Sequence, residues 1–530
     1  MKVLVVGAGA AGLFAAYSAA THTEAKVTVA EKNEKAGKKI YITGKGRCNL
    51  TNLCTPREFL DNVVRNPKFL YSAIYGFTPE DTVDFFEKNG LKLKTERGNR
   101  VFPVSDKASD VTKTLRAAAE KAGAEFRFNM SVEKLTQKNG KICGATLNGK
   151  EENFDAVILA CGGMSYPSTG SDGNGYRLAA SVGHKIIEPV PALVGFKAEN
   201  TAALSGLTLK NVKLSYAENG KTVYSQFGEA LFTHEGISGP AALTLSSLAA
   251  RKDVNGSELV FDLKPALDAD MLDKRVLRDL DEGKNKDLGN VLTALMPKAL
   301  IPFVAEQAGL KEDKKVNSIS AKERKKLVEV IKNLKFAVKG FCAHDSAIIT
   351  AGGVDVKEIN PNTMESKLVE NLYFCGEMTD VDALTGGFNM RFQYADSFLY
   401  GFSCGQAKRG ESMTAIRGAT TVSVNAAEEI ENAAAELIDE IMNRNFLGGE
   451  DIVAIIFSCT KDLTAAYPAK GAREKSGLNK VPMFCVQEQY VVGAVDKCIR
   501  ALVLCQKTIK DARHIYLKGA INLRSDLSSE

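Results

Sequence analysis

The sequence predicts an α/β protein made of two unequal parts, a long amino-terminal part and a short carboxyl-terminal part. Two observations predict this division. A glycine-rich turn between a strand and a helix opens the chain, and the alternation of strands and helices restarts after a small, polar stretch at residues 406–413. At about 150 residues per domain, the 530 residues correspond to roughly three or four packed units.

The composition is that of an ordinary globular protein, with 45% hydrophobic and 25% charged residues. It excludes a small binding module, a disordered chain, a collagen-like chain and a disulfide framework. The formal net charge of +5 is too small for this length to indicate nucleic-acid or membrane partners, so we expect small-molecule partners. The 11 cysteines lack CxxC or zinc spacing and the 5 histidines are isolated, which predicts no metal site and a reducing, cytoplasmic location.

The opening turn has the spacing of a dinucleotide fingerprint. We predict a buried parallel strand at Lys2–Val6, the turn GAGAAG at 7–12 and a helix at Leu13–Ala20. A second strand, Lys26–Ala30, ends at Glu31, where a carboxylate is able to accept from both ribose hydroxyls. A purely structural glycine turn is the alternative to a dinucleotide site. The predicted cofactor-binding residues of this unit are Gly7, Gly9, Ala11, Gly12 and Glu31.

The uncharged run from Val3 to Ala20 has the superficial look of a secretory signal or a short membrane span. Its glycines decide against both readings, because a glycine-rich break is costly in a membrane helix but is needed at a strand-to-helix turn. We therefore expect no membrane partner.

FAD and NAD share this fingerprint, and three later segments favour FAD. They are the glycine-rich polar loop at 37–52, the strand at 154–160 that runs into two glycines, and the strand at 372–375 that leads to a glycine pair opening a helix through Tyr400. A helix amino terminus at that point would stabilise negative charge on a reduced flavin ring. The further predicted cofactor-binding residues are Lys39, Gly44, Arg47, Cys48, Asn49, Gly162, Gly376, Glu377, Asp380, Gly387 and Asn389.

Together these segments resemble the BaiN-like, aminoacetone-oxidase-like family of flavoproteins. The motifs are GKKxxxTGxGRCNxTN at 37–52, a GRVFPVSDKA-like stretch at 98–108 with Asn99 inserted, LFTHxGxSGP at 231–240, and TAGGV with a terminal GGFN. The resemblance covers about residues 1–405. It implies a discontinuous Rossmann-type FAD-binding domain, residues 1–190 and 345–405, with an inserted substrate-side domain at 191–344 that is β-rich over 191–265 and helical over 266–335.

The substrate of this half stays open. No second GxGxxG follows residue 150, so a dedicated NAD(P)H domain is not expected, although NAD(P)H as an external reductant is compatible with the sequence. Members of the resembled family are amine oxidases or reductases of conjugated steroid rings. His234 and Arg391 are candidates for substrate or flavin contact, with a local hydrogen bond as the alternative for each. For Cys48, a small buried residue against the ring is favoured over a redox thiol.

Residues 414–530 predict a separate small α/β domain. From Met413 onward it contains 14 basic and 15 acidic residues, so bulk charge does not identify its ligand. Asn425 and Glu428 have the spacing of a capping box for an amphipathic helix that ends near Asn445. The predicted strands are Thr414–Val422, Ile452–Cys459, Met483–Gln487, Ala501–Gln506 and His514–Lys518.

These stretches resemble AroH-type chorismate mutase. The matching segments are IRGATTV at 416–422, YPAKGARE at 467–474, VPMFCVQE at 481–488, KCIR at 497–500, RHIYL at 513–517 and LRSDL at 523–527. Tyr467 stands where the family usually has Phe, and the loop before Arg513 is shorter by two residues. The resemblance implies the rearrangement of chorismate to prephenate in a trimer whose sites lie between subunits.

The resemblance also implies a role for each site residue. Arg500 would donate to the ether oxygen and to a carboxylate, and Glu488 with the backbone of Cys485 would hold the ring hydroxyl. Arg417 with Tyr516 would bind a carboxylate. The remaining implied substrate-binding residues are Tyr467, Lys470, Arg473, Phe484, Leu523 and Arg524.

Two hypotheses follow for the whole chain. The first is a bifunctional enzyme, an FAD-dependent oxidoreductase fused to a chorismate mutase. The second is that one half is not catalytic and serves as a flavin redox sensor or as a trimerising, metabolite-binding module. The complete polar set in the second half favours catalysis there.

Overall fold

The structure is a computed structural model that describes residues 1–409, 413–506, 509 and 512–527. The chain separates into two compact units, Met1–Gly405 and Gln406–Glu530. Within the described ranges, no helix is long and apolar enough to cross a membrane.

The first unit contains 21 strands. They are β1 (Lys2–Val6), β2 (Lys26–Glu31), β3 (Thr51–Asn52), β4 (Val63–Arg65), β5 (Leu93–Glu96), β6 (Arg100–Pro103), β7 (Glu125–Phe128), β8 (Val132–Lys138), β9 (Lys141–Leu147), β10 (Lys150–Asn153), β11 (Ala156–Leu159), β12 (Ile186–Ala192), β13 (Phe196–Ala198), β14 (Thr208–Glu218), β15 (Lys221–Phe232), β16 (Gly236–Ser238), β17 (Glu258–Asp262), β18 (Leu334–Phe341), β19 (Ile349–Val354), β20 (Leu372–Phe374) and β21 (Asp382–Ala383).

The same unit contains 12 α-helices. They are α1 (Ala10–His22), α2 (Pro56–Asp61), α3 (Tyr71–Gly76), α4 (Pro79–Lys88), α5 (Ala108–Lys121), α6 (Asn174–Ser181), α7 (Pro240–Ala249), α8 (Ala269–Glu282), α9 (Leu288–Leu292), α10 (Ile301–Gln307), α11 (Ala321–Lys332) and α12 (Phe388–Arg409).

A five-stranded parallel sheet forms the centre of the first unit, in the order β20-β11-β1-β2-β7. The uninterrupted apolar run of β1 fits this place, because strands inside a parallel sheet are covered on both faces. Strand β1 lies between β2 and β11, two strands that are far from each other in the sequence. The carboxyl ends of these strands therefore meet at one edge, where open α/β sheets bind their ligands.

A closed six-stranded barrel follows the order β13-β16-β15-β14-β17-β18. Its core includes α7, whose buried Ala242 and Leu245 pack among the inward-facing strand residues. Helices α8 to α11 contribute to the same core. The helices lie within the segment predicted to be helical, 266–335, whereas β18, the strand that completes the barrel after them, was not predicted.

The second unit is a five-stranded mixed sheet in the order β24-β23-β25-β22-β26. Its strands are β22 (Thr414–Thr421), β23 (Ile452–Cys459), β24 (Met483–Gln487), β25 (Cys498–Cys505) and β26 (Ile515–Tyr516), and its helices are α13 (Ala427–Arg444) and α14 (Pro468–Glu474). Gly418 faces α13, since a Cβ there would lie 2.8 Å from Ile441 Cδ1 and 3.0 Å from Leu437 Cδ1. One face of the sheet is thus covered by α13.

The predicted capping box at the start of α13 is wrong. The N-cap residue is Ala426 and has no side-chain cap. The Asn425 side chain instead accepts from the backbone N–H groups of Thr464 and Ala465, both at 3.0 Å. Asn425 therefore connects two loops, because these amides compete successfully for the same side-chain oxygen.

The predicted linker at 406–413 also needs correction. Helix α12, which the sequence predicts to end at Tyr400, continues to Arg409 and includes the first four residues of that stretch. No proline interrupts residues 400–409, and glycine inside a helix costs only about 1 kcal/mol relative to alanine, so the helix tolerates Gly401 and Gly405. Residues 410–412 of the linker lie outside the described ranges.

Candidate active sites

A cleft in the first unit lies at the carboxyl ends of the central parallel strands. Residues that end or follow these strands line it: Val6 of β1, Glu31 of β2, Ala160 after β11 and Glu377 after β20. Of the sequence-predicted cofactor residues, the cleft is lined by Gly7, Gly9, Ala11, Glu31, Lys39, Gly44, Asn49, Gly162, Glu377, Gly387 and Asn389.

Two glycines allow the turn between β1 and α1 to close. Gly7 has a φ of +101°, a left-handed conformation, and a Cβ there would lie 2.7 Å from the carbonyl oxygen of Ala160. Gly12 does not line the cleft. A Cβ on Gly12 would lie 1.9 Å from the carbonyl oxygen of Gly7, so its role is close packing of the helix against the turn.

The turn leaves the amino terminus of α1 open toward the cleft. No side chain caps α1 at Gly9. Its first N–H groups carry the partial positive charge that binds phosphate groups at helix amino termini. The cleft contains this helix terminus and the carboxylate of Glu31 at the end of the neighbouring strand. Together they offer the hydrogen-bond donors and acceptors that a dinucleotide requires.

The Glu31 carboxylate is held at the end of β2. Its Oε2 accepts from the backbone N–H of Ala8 at 2.7 Å, and its Oε1 accepts from Asn33 Nδ2 at 2.7 Å. A carboxylate has about four lone-pair positions, so acceptor capacity remains for a ligand hydroxyl. The contact with Ala8 also orients the acid toward the glycine turn.

An ion pair lines another part of the cleft. The Lys39 Nζ lies 2.7 Å from Glu377 Oε2 and donates to Ser165 Oγ at 2.6 Å. The Glu377 side chain is only 6% exposed, so the pair is shielded from bulk water and its geometry is defined. Sequence reasoning identifies Lys39 and Glu377 but misses Ser165, because a lone serine in a loop carries no pattern.

The start of α12 lies against the loop at 49–51. A Cβ on Gly387 would lie 2.5 Å from the carbonyl oxygen of Thr51 and 2.9 Å from Asn49 Oδ1. Asn389 accepts from the N–H of Ala383 at 3.0 Å and so fixes the turn before the helix. Gly386, Gly387, Asn389, Met390 and Gln393 of this region line the cleft.

Four other predicted cofactor residues do not line the cleft. Arg47 forms an ion pair with Asp106 at 2.8 Å and another with Glu96, and its guanidinium lies over the ring of Phe102. Cys48 is fully buried, and burial raises the pKa of its thiol to about 12, so it is not a reactive thiolate. Arg47 has local charged partners and Cys48 has a buried environment, and neither feature can be read from the position of the residue in a sequence motif.

Gly376 and Asp380 complete this group. Gly376 has a φ of +69° and donates its N–H to Asp396 Oδ2 at 2.7 Å. Asp380 accepts from Asn66 Nδ2 and pairs with Arg251 of the segment that follows α7. These contacts indicate structural roles within the first unit.

The two substrate candidates, His234 and Arg391, do not line the cleft either. His234 is exposed between β15 and β16. Arg391 is completely buried on α12, and none of its three guanidinium nitrogens has a hydrogen-bond partner among the described residues. Neither residue therefore lines the cleft at the strand ends, and their contacts with a substrate or flavin stay predictions.

The second unit brings three predicted residues together on the open face of its sheet. Ala419 of β22 is paired with Arg500 of β25 on one side and with Tyr516 of β26 on the other. Because alternate residues of a strand share a face, Arg417 lies on the same face as Ala419. Ala419 and Tyr516 belong to a small apolar cluster separate from the core under α13.

Glu488 joins this group from the end of β24. It contacts Arg500 through an ion pair, and the Ser458 hydroxyl of β23 donates to the same carboxylate at 3.4 Å. The Arg500 and Glu488 side chains are 30% and 19% exposed, which leaves them accessible to a ligand. Ser458 was not predicted, although its register opposite Arg500 places it on this face.

Cys485 presents its side chain to the other face. It is paired with the buried Phe457 and packs against the core under α13. Only its backbone is therefore available to the group around Arg500, which is the role that the resemblance implies. Phe484, its neighbour on the edge strand β24, is 65% exposed.

The three predicted residues of α14 lie apart from the Arg500 group. Lys470 forms an ion pair with Glu431 of α13 at 2.8 Å, and Tyr467 is 75% exposed. Arg473 is exposed on the same helix. Because α14 packs on α13, these residues belong to the helix-covered side of the sheet.

A histidine that sequence reasoning missed lies next to Arg417. The backbone N–H of Arg417 donates to His514 Nδ1 at 3.1 Å. Partial burial, then the charges of Arg417 and Arg524, lower the pKa of His514, so the ring is neutral at pH 7. Leu523 packs against the cluster that contains Ala419, which places the last segment of the chain beside the same face.

The fold and the two candidate sites define the class of this protein: a Rossmann-type unit joined to a small α/β unit with a cationic face. Within the described ranges, no group of three His, Cys, Asp or Glu residues has the arrangement of a metal site. Residues 1–406 match the family described as HI0933-like protein Rossmann domain, and residues 413–527 match the family described as chorismate mutase type I.

Individual relatives agree with both matches. The 3-dehydro-bile acid Δ(4,6)-reductase of Clostridium scindens is 32% identical over 76% of this chain and 98% of the relative. The ribosomal RNA dihydrouridine synthase of Haemophilus influenzae is 33% identical over 75% of this chain and 96% of the relative. Chorismate mutase AroH of Bacillus subtilis is 43% identical over 21% of this chain and 91% of the relative.

The chain belongs to the HI0933-like family, with a chorismate mutase domain of the AroH type fused after its Rossmann domain. The fold class and both resemblances predicted from the sequence are confirmed.

Proposed function

We propose that this chain is a bifunctional enzyme. Its second unit converts chorismate to prephenate, and its first unit is an FAD-dependent oxidoreductase. The observation that supports the mutase most strongly is the group of Arg417, Glu488, Arg500 and Tyr516 around one sheet face. The identity of 43% to a protein named chorismate mutase AroH supports the same reaction.

The proposed rearrangement needs no nucleophile and no proton transfer. The ether C–O bond of chorismate breaks while a new C–C bond forms in one step, and negative charge grows on the ether oxygen. Arg500 donates to that oxygen, and Arg417 binds a carboxylate of the dianionic substrate. Glu488 holds Arg500 in place and accepts from the ring hydroxyl, while the Tyr516 hydroxyl donates to a carboxylate.

We also propose a trimer whose sites lie between subunits. Tyr467, Lys470 and Arg473 are separated from the Arg500 group in one chain, so a site that uses both sets takes α14 from a neighbour. The exposed apolar side chains of Phe484 and Val486 on the edge strand β24 support an interface there. Sedimentation velocity on the full chain is the test, and a monomer with full mutase activity would contradict the shared site.

For the first unit, the residues that line the cleft fit FAD. The glycine turn and the open amino terminus of α1 suit a pyrophosphate, and Glu31 suits a ribose. Lys39, Glu377 and the start of α12 would then hold the flavin end. FAD supplies two-electron chemistry, whereas the chain positions the cofactor and shields it from water.

We further propose that the first unit reduces an activated carbon–carbon double bond. The names of the two relatives that cover three quarters of the chain describe this chemistry, on a steroid-like ring in one case and on uridine in the other. A reductant of the NAD(P)H class would act from solution. The alternative is a redox sensor that binds flavin without turnover.

One experiment tests both halves. Purified chain is assayed for loss of chorismate and formation of prephenate, and its flavin is identified after release. The flavin is then reduced anaerobically with NADH or NADPH and offered a cyclic enone or uridine-containing RNA, and in a separate assay the oxidised flavin is offered a primary amine. Reoxidation of the reduced flavin by the enone or RNA supports the reductase, reduction of the oxidised flavin by the amine alone contradicts it, and no turnover in any assay favours the sensor.

Arg500→Ala separates the two activities. It removes the donor to the breaking bond, so chorismate loss is expected to fall by at least 10²- to 10³-fold while bound flavin stays at wild-type stoichiometry. Retained mutase activity in this variant would contradict the role of Arg500.

A further inference from the structure

The first unit contains a buried arginine whose guanidinium has no hydrogen-bond partner among the described residues. Arg391 is completely buried, and its Nε and both Nη atoms lack hydrogen-bond partners among the described residues. Its guanidinium lies 5.1 Å from the centre of the Phe77 ring. Burying a charge without a partner is among the most costly arrangements in a protein, so a purely structural arginine here is unexpected.

The charge persists at neutral pH. Burial lowers the pKa of Arg391 to about 9, which still leaves the guanidinium protonated at pH 7. The nearest acid on the same helix does not compensate it, because burial raises the pKa of Asp396 to about 8 and keeps that carboxyl mostly neutral. The charges of Asp81 and Glu80, at the start of α4, partly offset the effect of burial on the pKa of Arg391, although neither carboxylate hydrogen-bonds the guanidinium.

The position of Arg391 on α12 connects this charge to the cleft. Its backbone N–H donates to the carbonyl oxygen of Gly387 at 3.1 Å, so Arg391 lies one helical turn after Gly387. Gly387, Met390 and Gln393 of the same turn line the cleft, whereas the Arg391 side chain points into the core behind them. The cation therefore lies behind the amino terminus of the helix that faces the proposed flavin end.

We propose that Arg391 is a positioning residue for flavin chemistry, whose buried charge adds to the helix amino terminus and stabilises negative charge on the bound ring. This inference rests on the proposed FAD site. Charges in a low-dielectric interior interact over longer distances than charges in water, so direct contact is not required. The cost of burying the guanidinium is then explained by function rather than by folding.

The test uses Arg391→Met, Arg391→Lys and, as a matched control, Arg116→Gln, which removes one exposed arginine charge from α5. Two quantities are measured on the full chain: the midpoint potential of the bound flavin, and the dissociation constant of sulfite, which adds to oxidised flavin and leaves a negative charge on the ring. Thermal stability is followed in parallel.

Arg391→Met is expected to lower the midpoint potential, to raise the sulfite dissociation constant at least tenfold, and to raise the unfolding temperature, because a buried unpaired charge is removed. Arg391→Lys keeps a charge and is expected to stay closer to wild type in both flavin measurements. Arg116→Gln is expected to change neither.

Four results would overturn the inference. The first is an Arg391→Met variant with wild-type potential and sulfite affinity, and the second is an equal shift in Arg116→Gln. If Arg391→Met does not fold, Arg391→Lys decides, because a rise of tenfold or more in the sulfite dissociation constant despite the retained charge would show that the charge is not what matters. A wild-type chain that binds no flavin rejects both this inference and the proposed FAD site.

Discussion

The two units place their candidate sites on the fold in different ways. In the first unit, the cleft forms where parallel strands end, and backbone turns and glycines make most of it. In the second unit, charged side chains stand on the open face of a sheet, and the residues of α14 lie on the other side. The comparison teaches that strand ends and turns form an enclosed cleft within one chain, whereas the open cationic face would, under the proposed function, take further groups around its ligand from a neighbour.

The units also treat positive charge differently. The first unit buries Arg391 without a hydrogen-bond partner among the described residues and shields the pair of Lys39 and Glu377. The second unit leaves Arg417 exposed and Arg500 partly exposed, where a dianion is able to reach them. We expect a buried charge to act on a ligand at a distance and an exposed charge to act by direct contact. Substitutions of charged residues in the two units are therefore expected to change different measured properties.

The largest expected effect comes from the glycine turn. In Gly12→Val, a Cβ 1.9 Å from a backbone oxygen cannot be accommodated, so we expect loss of flavin binding and a destabilisation of unit 1 beyond the about 1–3 kcal/mol typical of overpacking. Mutase activity is expected to survive if the units fold independently. Flavin content and chorismate turnover measure the two outcomes.

Gly9→Ala is the matched control for this substitution. A Cβ on Gly9 meets nothing within 4 Å, so unit 1 is expected to fold normally and only flavin affinity is expected to fall. Loss of mutase activity in Gly12→Val would show that the two units do not fold separately.

The next effect tests the cationic face. Glu488→Gln removes the charge that holds Arg500, and we expect kcat/KM for chorismate to drop roughly 10²- to 10³-fold. Ser458→Ala removes only a 3.4 Å hydrogen bond to the same carboxylate and is expected to cost a few-fold. Steady-state kinetics measure kcat/KM for both variants. Equal losses of kcat/KM in the two variants would contradict the role of the Glu488 charge in holding Arg500.

A smaller effect concerns acid stability of the first unit. His184 Nδ1 lies 3.1 Å from Glu358 and its Nε2 lies 2.8 Å from Ser366 Oγ, in a buried site where burial lowers the pKa of the imidazole. Below the unfolded pKa of 6.5 the unfolded chain binds the proton more readily, so stability is present above that pH and declines as the pH falls.

Flavin release on heating at pH 7.5 and pH 5.5 measures this loss. His184→Gln is expected to lower stability at pH 7.5 but to reduce the difference between the two pH values. The exposed His234→Gln is the control and is expected to retain the wild-type difference. If His184→Gln keeps the full wild-type difference between the two pH values, other groups are responsible for the acid sensitivity.

The smallest effect tests the corrected helix start in the second unit. Asn425→Ala removes two hydrogen bonds to loop amides and is expected to cost about 1 kcal/mol of unit 2 stability. Glu428→Ala is expected to stay within about 0.5 kcal/mol, because no capping box involves it. Chemical denaturation measures both. A loss of about 1 kcal/mol of unit 2 stability in Glu428→Ala would instead support the capping box predicted from the sequence.

Much of the architecture could be predicted because local rules determine it. The strands at 2–6, 452–459 and 483–487 have the predicted bounds, since continuous apolar runs between turn residues leave few alternatives. The glycine turn was recognisable because phosphate binding and tight packing both require residues without a side chain. The barrel strand β18 escaped prediction because its partner strands, β13 and β17, are distant in sequence.

The sequence by itself determined which residue types were available: glycines for a turn, an acid after the second strand, and arginines for a dianion. Only the tertiary structure decided which way each side chain points. It directs Arg47 to a surface ion pair, Cys48 and Arg391 into the core, and Asn425 to a neighbouring loop. The physical reason is that hydrogen bonds and burial are settled between segments far apart in the chain, and a motif records spacing along the chain only.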